Sequence, residues 1–221
     1  MSDVNNEALE QAPIKLVMNQ LPAIDVPFES PLHHVELAKI AEHGESQGGV
    51  VFRELSLGLL TLRCTPNAEQ ATSIEAILGV ALPSKPLTSV SSASGELTVM
   101  WISPDEWLLQ VPQDKAFELE TRFFAEVGGH YSLVNVSGGN TVFELSGEDV
   151  VKVLKKSTPI DFHDSEFPVG KVVSSVFAKS GATICRTAEQ SYQLVVRRSF
   201  ADYLWLWLQD ASKEYGLTVT C

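Results

Sequence analysis

The residues of this chain best spaced for chemistry are Asp161, His163 and Asp164. On an extended segment Asp161 and His163 project to one side, with Asp164 next in line. A carboxylate and an imidazole so placed could share a proton or hold two corners of a metal site. The same residues also suit a polar loop that follows a helix. His33 and His34 are adjacent and point apart on most backbones, whereas metal-binding pairs are more often spaced i, i+2 or i, i+4. His130 follows Gly128-Gly129 at an expected helix end, where an imidazole can bond terminal carbonyls. Cys64, Cys185 and Cys221 are scattered and form no CxxC pair; Cys64 and Cys185 have apolar neighbours, as buried structural thiols do. A nucleophilic Ser or Cys needs a base and an orienting group within reach, and these contexts propose no such trio.

The glycine motifs are equally sparse. Ser137-Gly138-Gly139 is the nearest approach to a phosphate loop, but it lacks a third glycine and a following helix, and it reads as a turn or bulge. There is no GxGxxG after a strand, no GxxxxGK[ST], no HExxH and no GxSxG. The expectation is a chain with no catalytic, cofactor-binding or metal-binding residue of its own.

The elements that would position these groups follow from periodicity. Gly49–Glu54 and Leu57–Arg63 read as strands joined by a tight turn. Pro66-Asn67 is a stop-and-cap signal, and Ala71, Ile74, Ile77 and Leu78 recur at helical spacing. Glu96–Ser103 and Glu106–Val111 form a hairpin around Ser103-Pro104-Asp105, and Lys115–Val127 carries Ala116, Leu119, Phe123 and Val127 on one helical stripe. The second half repeats this order. Tyr131–Val136 and Asn140–Leu145 are strands around Ser137-Gly138-Gly139, and a helix opened by Ser146-Gly147-Glu148-Asp149 runs through Lys156. After a loop at Asp161–Val169 come strands at Lys171–Ala178, Thr183–Thr187 and Ser191–Val196, then a helix at Ser199–Tyr215 with Ser199 as N-cap.

Trp107-Leu-Leu-Gln-Val111 with Ala116 and Leu119 recurs 85 residues later as Tyr192-Gln-Leu-Val-Val196 with Ala201 and Leu204. The expected fold is therefore α+β: two pseudo-repeated ferredoxin-like modules, 47–130 and 131–221, each an antiparallel or mixed sheet with helices on one face. They are preceded by an extended N-terminal arm, 1–46, with a short helix around His34–His43. Within the arm, Ile14–Ile24 is too apolar for a solvent tail and reads as wrapped on something.

Charge and hydropathy exclude several partners. The net charge is −12, and the first 130 residues hold 7 Lys and Arg against 18 Asp and Glu. That balance opposes nucleic-acid binding, which relies on a positive surface. No run reaches the roughly 18 apolar residues of a membrane helix. The polar, acidic start MSDVNNEALEQAP lacks the features of an export signal, so a cytoplasmic location is expected.

The last helix stands apart. Ala201, Leu204, Trp205 and Leu208 make a core stripe, yet Tyr203, Leu206 and Trp207 fall on the other side. A helix apolar all round is covered twice. The second cover is the sister module, the arm or another protein, and Trp and Tyr are common at interfaces.

Val99-Met-Trp-Ile-Ser-Pro-Asp-Glu-Trp-Leu-Leu109 and Val195-Val-Arg-Arg-Ser-Phe-Ala-Asp-Tyr-Leu-Trp-Leu-Trp-Leu-Gln-Asp-Ala211 resemble the hairpin and C-terminal helix of heterotetrameric sarcosine oxidase gamma subunits. Ser30-Pro31-Leu32 resembles a short motif in the N-terminal arm of that family, and Val136-Ser137 with Phe143-Glu-Leu-Ser-Gly147 its central strand–turn–helix. The layout is also similar to the folate-binding fold of the glycine-cleavage T-protein and tRNA-modification proteins. The resemblance implies a non-catalytic subunit whose partners are alpha, beta and delta subunits, chiefly alpha. FAD, FMN, NAD, tetrahydrofolate and zinc would reside on those partners. It also implies oxidative demethylation of sarcosine by the complex, with the one-carbon unit passed to tetrahydrofolate. Pro31, Leu32, Trp101, Arg198, Tyr203, Leu206 and Trp207 are the candidate partner-interface residues. Ser103 stands where the family commonly has Gly, which leaves room for a related N-methyl amino acid dehydrogenase. A stand-alone folate-binding or aminomethyltransferase-like protein, and a ligand-sensing pair of modules, are the other readings.

Overall fold

A computed structural model describes residues 29–43 and 48–221. In chain order the elements are α1 (Leu37–His43), β1 (Val50–Leu55), β2 (Leu57–Cys64), α2 (Ala68–Leu78), β3 (Ser89–Ser91), β4 (Thr98–Ser103) and β5 (Glu106–Pro112). There follow α3 (Ala116–Glu126), β6 (Tyr131–Asn135), β7 (Asn140–Ser146), α4 (Val150–Ser157), β8 (Val172–Phe177), β9 (Ser180–Ala188), β10 (Ser191–Arg197), α5 (Ala201–Ser212) and β11 (Leu217–Thr220). The apolar stretch Ile14–Ile24 lies outside the described residues.

The strands form a five-stranded antiparallel sheet, β3-β4-β5-β2-β6, and a six-stranded mixed sheet, β11-β1-β7-β10-β9-β8. Side chains alternate along each strand, so every sheet has two faces to cover. In β2, Leu60, Leu62 and Cys64 point to α2 and α3, together with Trp107, Leu109 and Val111 of β5. In the other sheet Phe143, Leu145, Tyr192, Leu194 and Val196 point to α4 and α5. There Phe52 lies edge-on to Phe143 at 5.1 Å and against Trp205 at 4.9 Å. The opposite faces of the two sheets meet in a smaller core of Leu59, Met100, Leu108, Val142, Val172, Cys185 and Val195. The architecture is thus four layers, helix–sheet–sheet–helix, with helices on one face of each sheet.

The internal repeat holds at the level of topology. β3, β4, β5, β2 and β6 correspond one for one to β8, β9, β10, β7 and β1. Trp107 and Tyr192 occupy equivalent buried positions, as do Ala116 and Ala201 at the starts of α3 and α5. Each of those helices follows a short 3₁₀ turn, Gln113–Lys115 and Arg198–Phe200. Ser199 therefore sits within a turn; Phe200 is the N-cap of α5 and makes no side-chain cap bond. Asn67 does cap α2, in a reciprocal pair of bonds with Gln70.

Sheet membership departs from chain order. β1 lies in the sheet of the second half, and β6 in the sheet of the first. The tight turn expected between β1 and β2 is absent, because Ser56 alone separates them. A hairpin needs at least about two loop residues. The extended chain instead runs straight from one sheet into the other. The Ser137–Gly139 3₁₀ turn carries β6 into β7 in the same way.

The two crossings are tied together. Ser137 Oγ accepts from the Leu59 N–H at 2.8 Å, and Val136 N–H donates to the Leu59 carbonyl at 2.8 Å. On the far side Thr88 bridges Lys171 in antiparallel fashion, Ser89 N–H donates to the Gly170 carbonyl at 2.7 Å, and Val172 N–H to Leu87 at 3.0 Å. These two segments are counterparts in the repeat, so they face each other across its approximate two-fold axis. Leu87 and Gly170 both take positive φ there, 60° and 84°. The left-handed region costs glycine little and other residues more.

The arm is anchored, not free, at its described end. Leu32 is 1% exposed and belongs to the core under α4 and α5. Leu32→Ala is expected to lower unfolding free energy by about 2–5 kcal/mol in urea titration, as for other buried leucines. Ser137→Ala strands the Leu59 N–H between the sheets and is expected to cost about 1–3 kcal/mol in the same assay.

Candidate partner-binding surface

The residues best spaced for chemistry are spent on holding a loop. Asp161 accepts from the His163 backbone N–H at 2.9 Å, and His163 Nδ1 lies 2.9 Å from Ser165 Oγ. Asp164 turns to Arg186, whose Nη1 donates to it at 2.7 Å. Arg186 on β9 is 5% exposed and also donates to the carbonyls of Phe167, Ala188 and Glu189. Its guanidinium stands 5.6 Å from the Tyr192 ring centre. A buried charge needs this density of acceptors. The result is a clamp that fastens the α4–β8 loop to β9. Sequence reading missed Arg186, since a single arginine in an apolar strand carries no pattern.

The other candidates are dispersed. His34 Nε2 lies 2.9 Å from Asp202 Oδ1 and links the arm to α5, while His33 is exposed. Gly128 gives its carbonyl to Gln70 Nε2 at 2.7 Å; His130 is exposed beyond it. Cys64 and Cys185 are buried, and burial pushes both thiols up from their ordinary range, away from the reactive thiolate. Among the described residues no three His, Cys, Asp or Glu side chains are grouped to hold a metal ion, and no helix is long and apolar enough to cross a membrane.

The candidate partner-surface residues divide among four places. Pro31 and Arg198 come together although 167 residues apart. Arg198 Nη2 donates to the Glu29 carbonyl, and both residues line a cleft of about 720 Å³ with His33, Gly138, Gly139 and Arg197. Ser30 Oγ donates to Glu54, whose other carboxylate oxygen accepts from Thr141 Oγ1 at 2.9 Å. Leu32, by contrast, is core. Tyr203 and Trp207 are half-buried against the α4 side of the six-stranded sheet, and Trp207 Nε1 donates to Ser157 Oγ at 3.0 Å. The second cover of α5 is therefore largely intramolecular for these two aromatics. Leu206 remains 56% exposed, with Phe200 at 40% nearby in sequence. Trp101 lies on the other sheet, opposite Trp107 in register and half-buried under α2 and α3.

Comparison with known proteins gives this arrangement its relatives. Residues 65–214 match the family described as "Sarcosine oxidase, gamma subunit family". The chain is 31% identical over 189 residues to "Sarcosine oxidase subunit gamma" of Arthrobacter sp, spanning 85% of this chain and 91% of that one. Its counterpart from Corynebacterium sp. (strain U-96) is 30% identical over 193 residues with the same coverage. Among solved structures, a chain of the heterotetrameric sarcosine oxidase from Corynebacterium sp. U-96, in complex with pyrrole 2-carboxylate, superposes with a TM-score of 0.75 at 29% identity, covering 85% of this chain and 96% of that one. The glycine cleavage system aminomethyltransferase T from Bartonella henselae shares the fold at 16% identity and a TM-score of 0.57, over 83% of this chain and 50% of that one. By family match and chain-long identity, this chain belongs to the sarcosine oxidase gamma subunit family.

Proposed function

We propose that this chain is the non-catalytic gamma subunit of a heterotetrameric sarcosine oxidase and supports assembly with the alpha subunit during oxidative demethylation of sarcosine. The observation that carries the reading is the superposition along 85% of the chain on a chain of that enzyme, together with the family match over residues 65–214. The chemistry of the side chains agrees with a supporting role. Asp161, Asp164, His163 and Arg186 are engaged in fastening a loop, and the buried cysteines are held as neutral thiols.

In this reading FAD, FMN, NAD, tetrahydrofolate and zinc are held by the alpha, beta and delta subunits, chiefly alpha being the neighbour of gamma. The complex works in the cytoplasm. The surface offered to partners includes the Pro31–Arg198 cleft and the exposed ridge of α5 at Leu206. An exposed leucine covered on assembly contributes through burial of its apolar area.

Co-expression of this chain, tagged, with candidate alpha, beta and delta subunits from the same source tests the reading. The expected outcome is a single species in size-exclusion chromatography that carries flavin absorbance and all four chains. Leu206→Asp is expected to weaken retention of the chain by about tenfold while leaving its helical circular dichroism unchanged. A well-folded monomer that captures no flavoprotein, or that alone binds tetrahydrofolate tightly in a calorimetric titration, would overturn the proposal.

A further inference from the structure

The five-stranded sheet ends on β6, whose sequence Tyr131-Ser-Leu-Val-Asn135 contains neither a charged residue nor a proline. Edge strands in free-standing proteins are commonly blunted by lysine, proline, bulges or a covering element. Val136 N–H turns inward to the Leu59 carbonyl, so alternation turns the amides of Tyr131, Leu133 and Asn135 outward. Among the described residues no strand pairs with that side.

The internal repeat shows what belongs there. The counterpart of β6 is β1, and β1 carries a further strand on its outer side. That strand is β11, parallel, with Val50 opposite Leu217 and Phe52 opposite Val219. The sixth position is thus filled in one sheet and open in the other. Apolar groups flank the open position on both faces. On the helix side Phe124 of α3 is 42% exposed, with its ring 6.3 Å from that of Tyr131. On the opposite face Val134 is 50% exposed.

Resting on the gamma-subunit reading above, we propose that β6 receives an extended segment of a partner subunit, added as a parallel sixth strand with apolar side chains towards Phe124 and Val134. Backbone bonds to the outward amides and carbonyls of β6 hold the segment, and the flanking side chains select it. A partner chain fits better than a second copy of this one. A two-fold copy would pair β6 with β6 in antiparallel sense, whereas the internal counterpart is parallel.

The assembled complex provides the test. A photoreactive phenylalanine analogue at the exposed position Ser132 should crosslink to a partner-subunit peptide, identified by mass spectrometry. The amides of Leu133 and Asn135 should gain hydrogen-exchange protection on assembly. Val134→Lys combined with Phe124→Lys should reduce recovery of the complex by about tenfold without shifting the thermal midpoint of the chain, while Thr72→Lys on the exposed face of α2 leaves recovery unchanged. Crosslinks confined to a second copy or to residues 1–28 of this chain, or full assembly of the double variant, would overturn the edge-docking proposal and leave the subunit reading standing. Failure of the unaltered chain to join any flavoprotein would remove both.

Discussion

Two strands that pass between sheets without turning back set the terms for the rest of this fold. At Ser56 the extended chain leaves one sheet and enters the other, and at Ser137–Gly139 a short 3₁₀ turn makes the second crossing. Together the crossings place one strand of each half into the sheet of its sister. The sheets are then held face to face, and their small shared core of Leu59, Met100, Leu108, Val142, Val172, Cys185 and Val195 can form. Because that side of each sheet is occupied, all helices must lie on the outer faces, and the four-layer order follows. The bonds of Ser137 and Val136 to Leu59 fix the crossings to each other, and the Thr88–Lys171 bridge closes the opposite side.

Much of this was legible in the sequence, and the illegible part has a single physical origin. Helix α2 announces itself by Asn67 and its apolar spacing; the β4–β5 hairpin does so through Ser103-Pro104-Asp105. These are local signals. The 85-residue recurrence of the Trp107 and Tyr192 strands was also readable, and it corresponds to a true structural equivalence. What local pattern cannot convey is which sheet a strand joins. Alternation in β1 and β6 reads the same whether the strand folds back on its neighbour or crosses over. β11 was lost for a related reason. Four residues, Leu-Thr-Val-Thr, after Tyr215-Gly216 do not make a strand signal until β1 offers them an edge.

The candidate surface shows the same division. Leu206 and Trp207 stand out from helical spacing, yet only the packing tells that Trp207 reaches Ser157 while Leu206 does not turn inward. Arg198 and Pro31 belong to separate sequence motifs, and the fold brings them to one cleft. Arg186 carries no sequence pattern, although it gathers acceptors from Asp164, Phe167, Ala188 and Glu189. For a family whose members are parts of a larger assembly, polar groups that look like chemistry can be committed to keeping loops in place, so that surfaces stay in register for other chains.

The exchanged strand β1 also imposes an order on how the chain can be made. It precedes both of its neighbours in the sheet, β7, which ends at Ser146, and β11, which ends at Thr220. Neither half of the repeat can complete its own sheet from its own residues. Long-range pairing of this kind slows folding, because loop closure is required before any contact rewards it. During synthesis β1 therefore waits, with the apolar residues Val50 and Phe52 uncovered, until β7 has emerged, and its other edge is filled only when β11 follows. A duplicated architecture that looks divisible into two is, in time as well as in space, assembled as one.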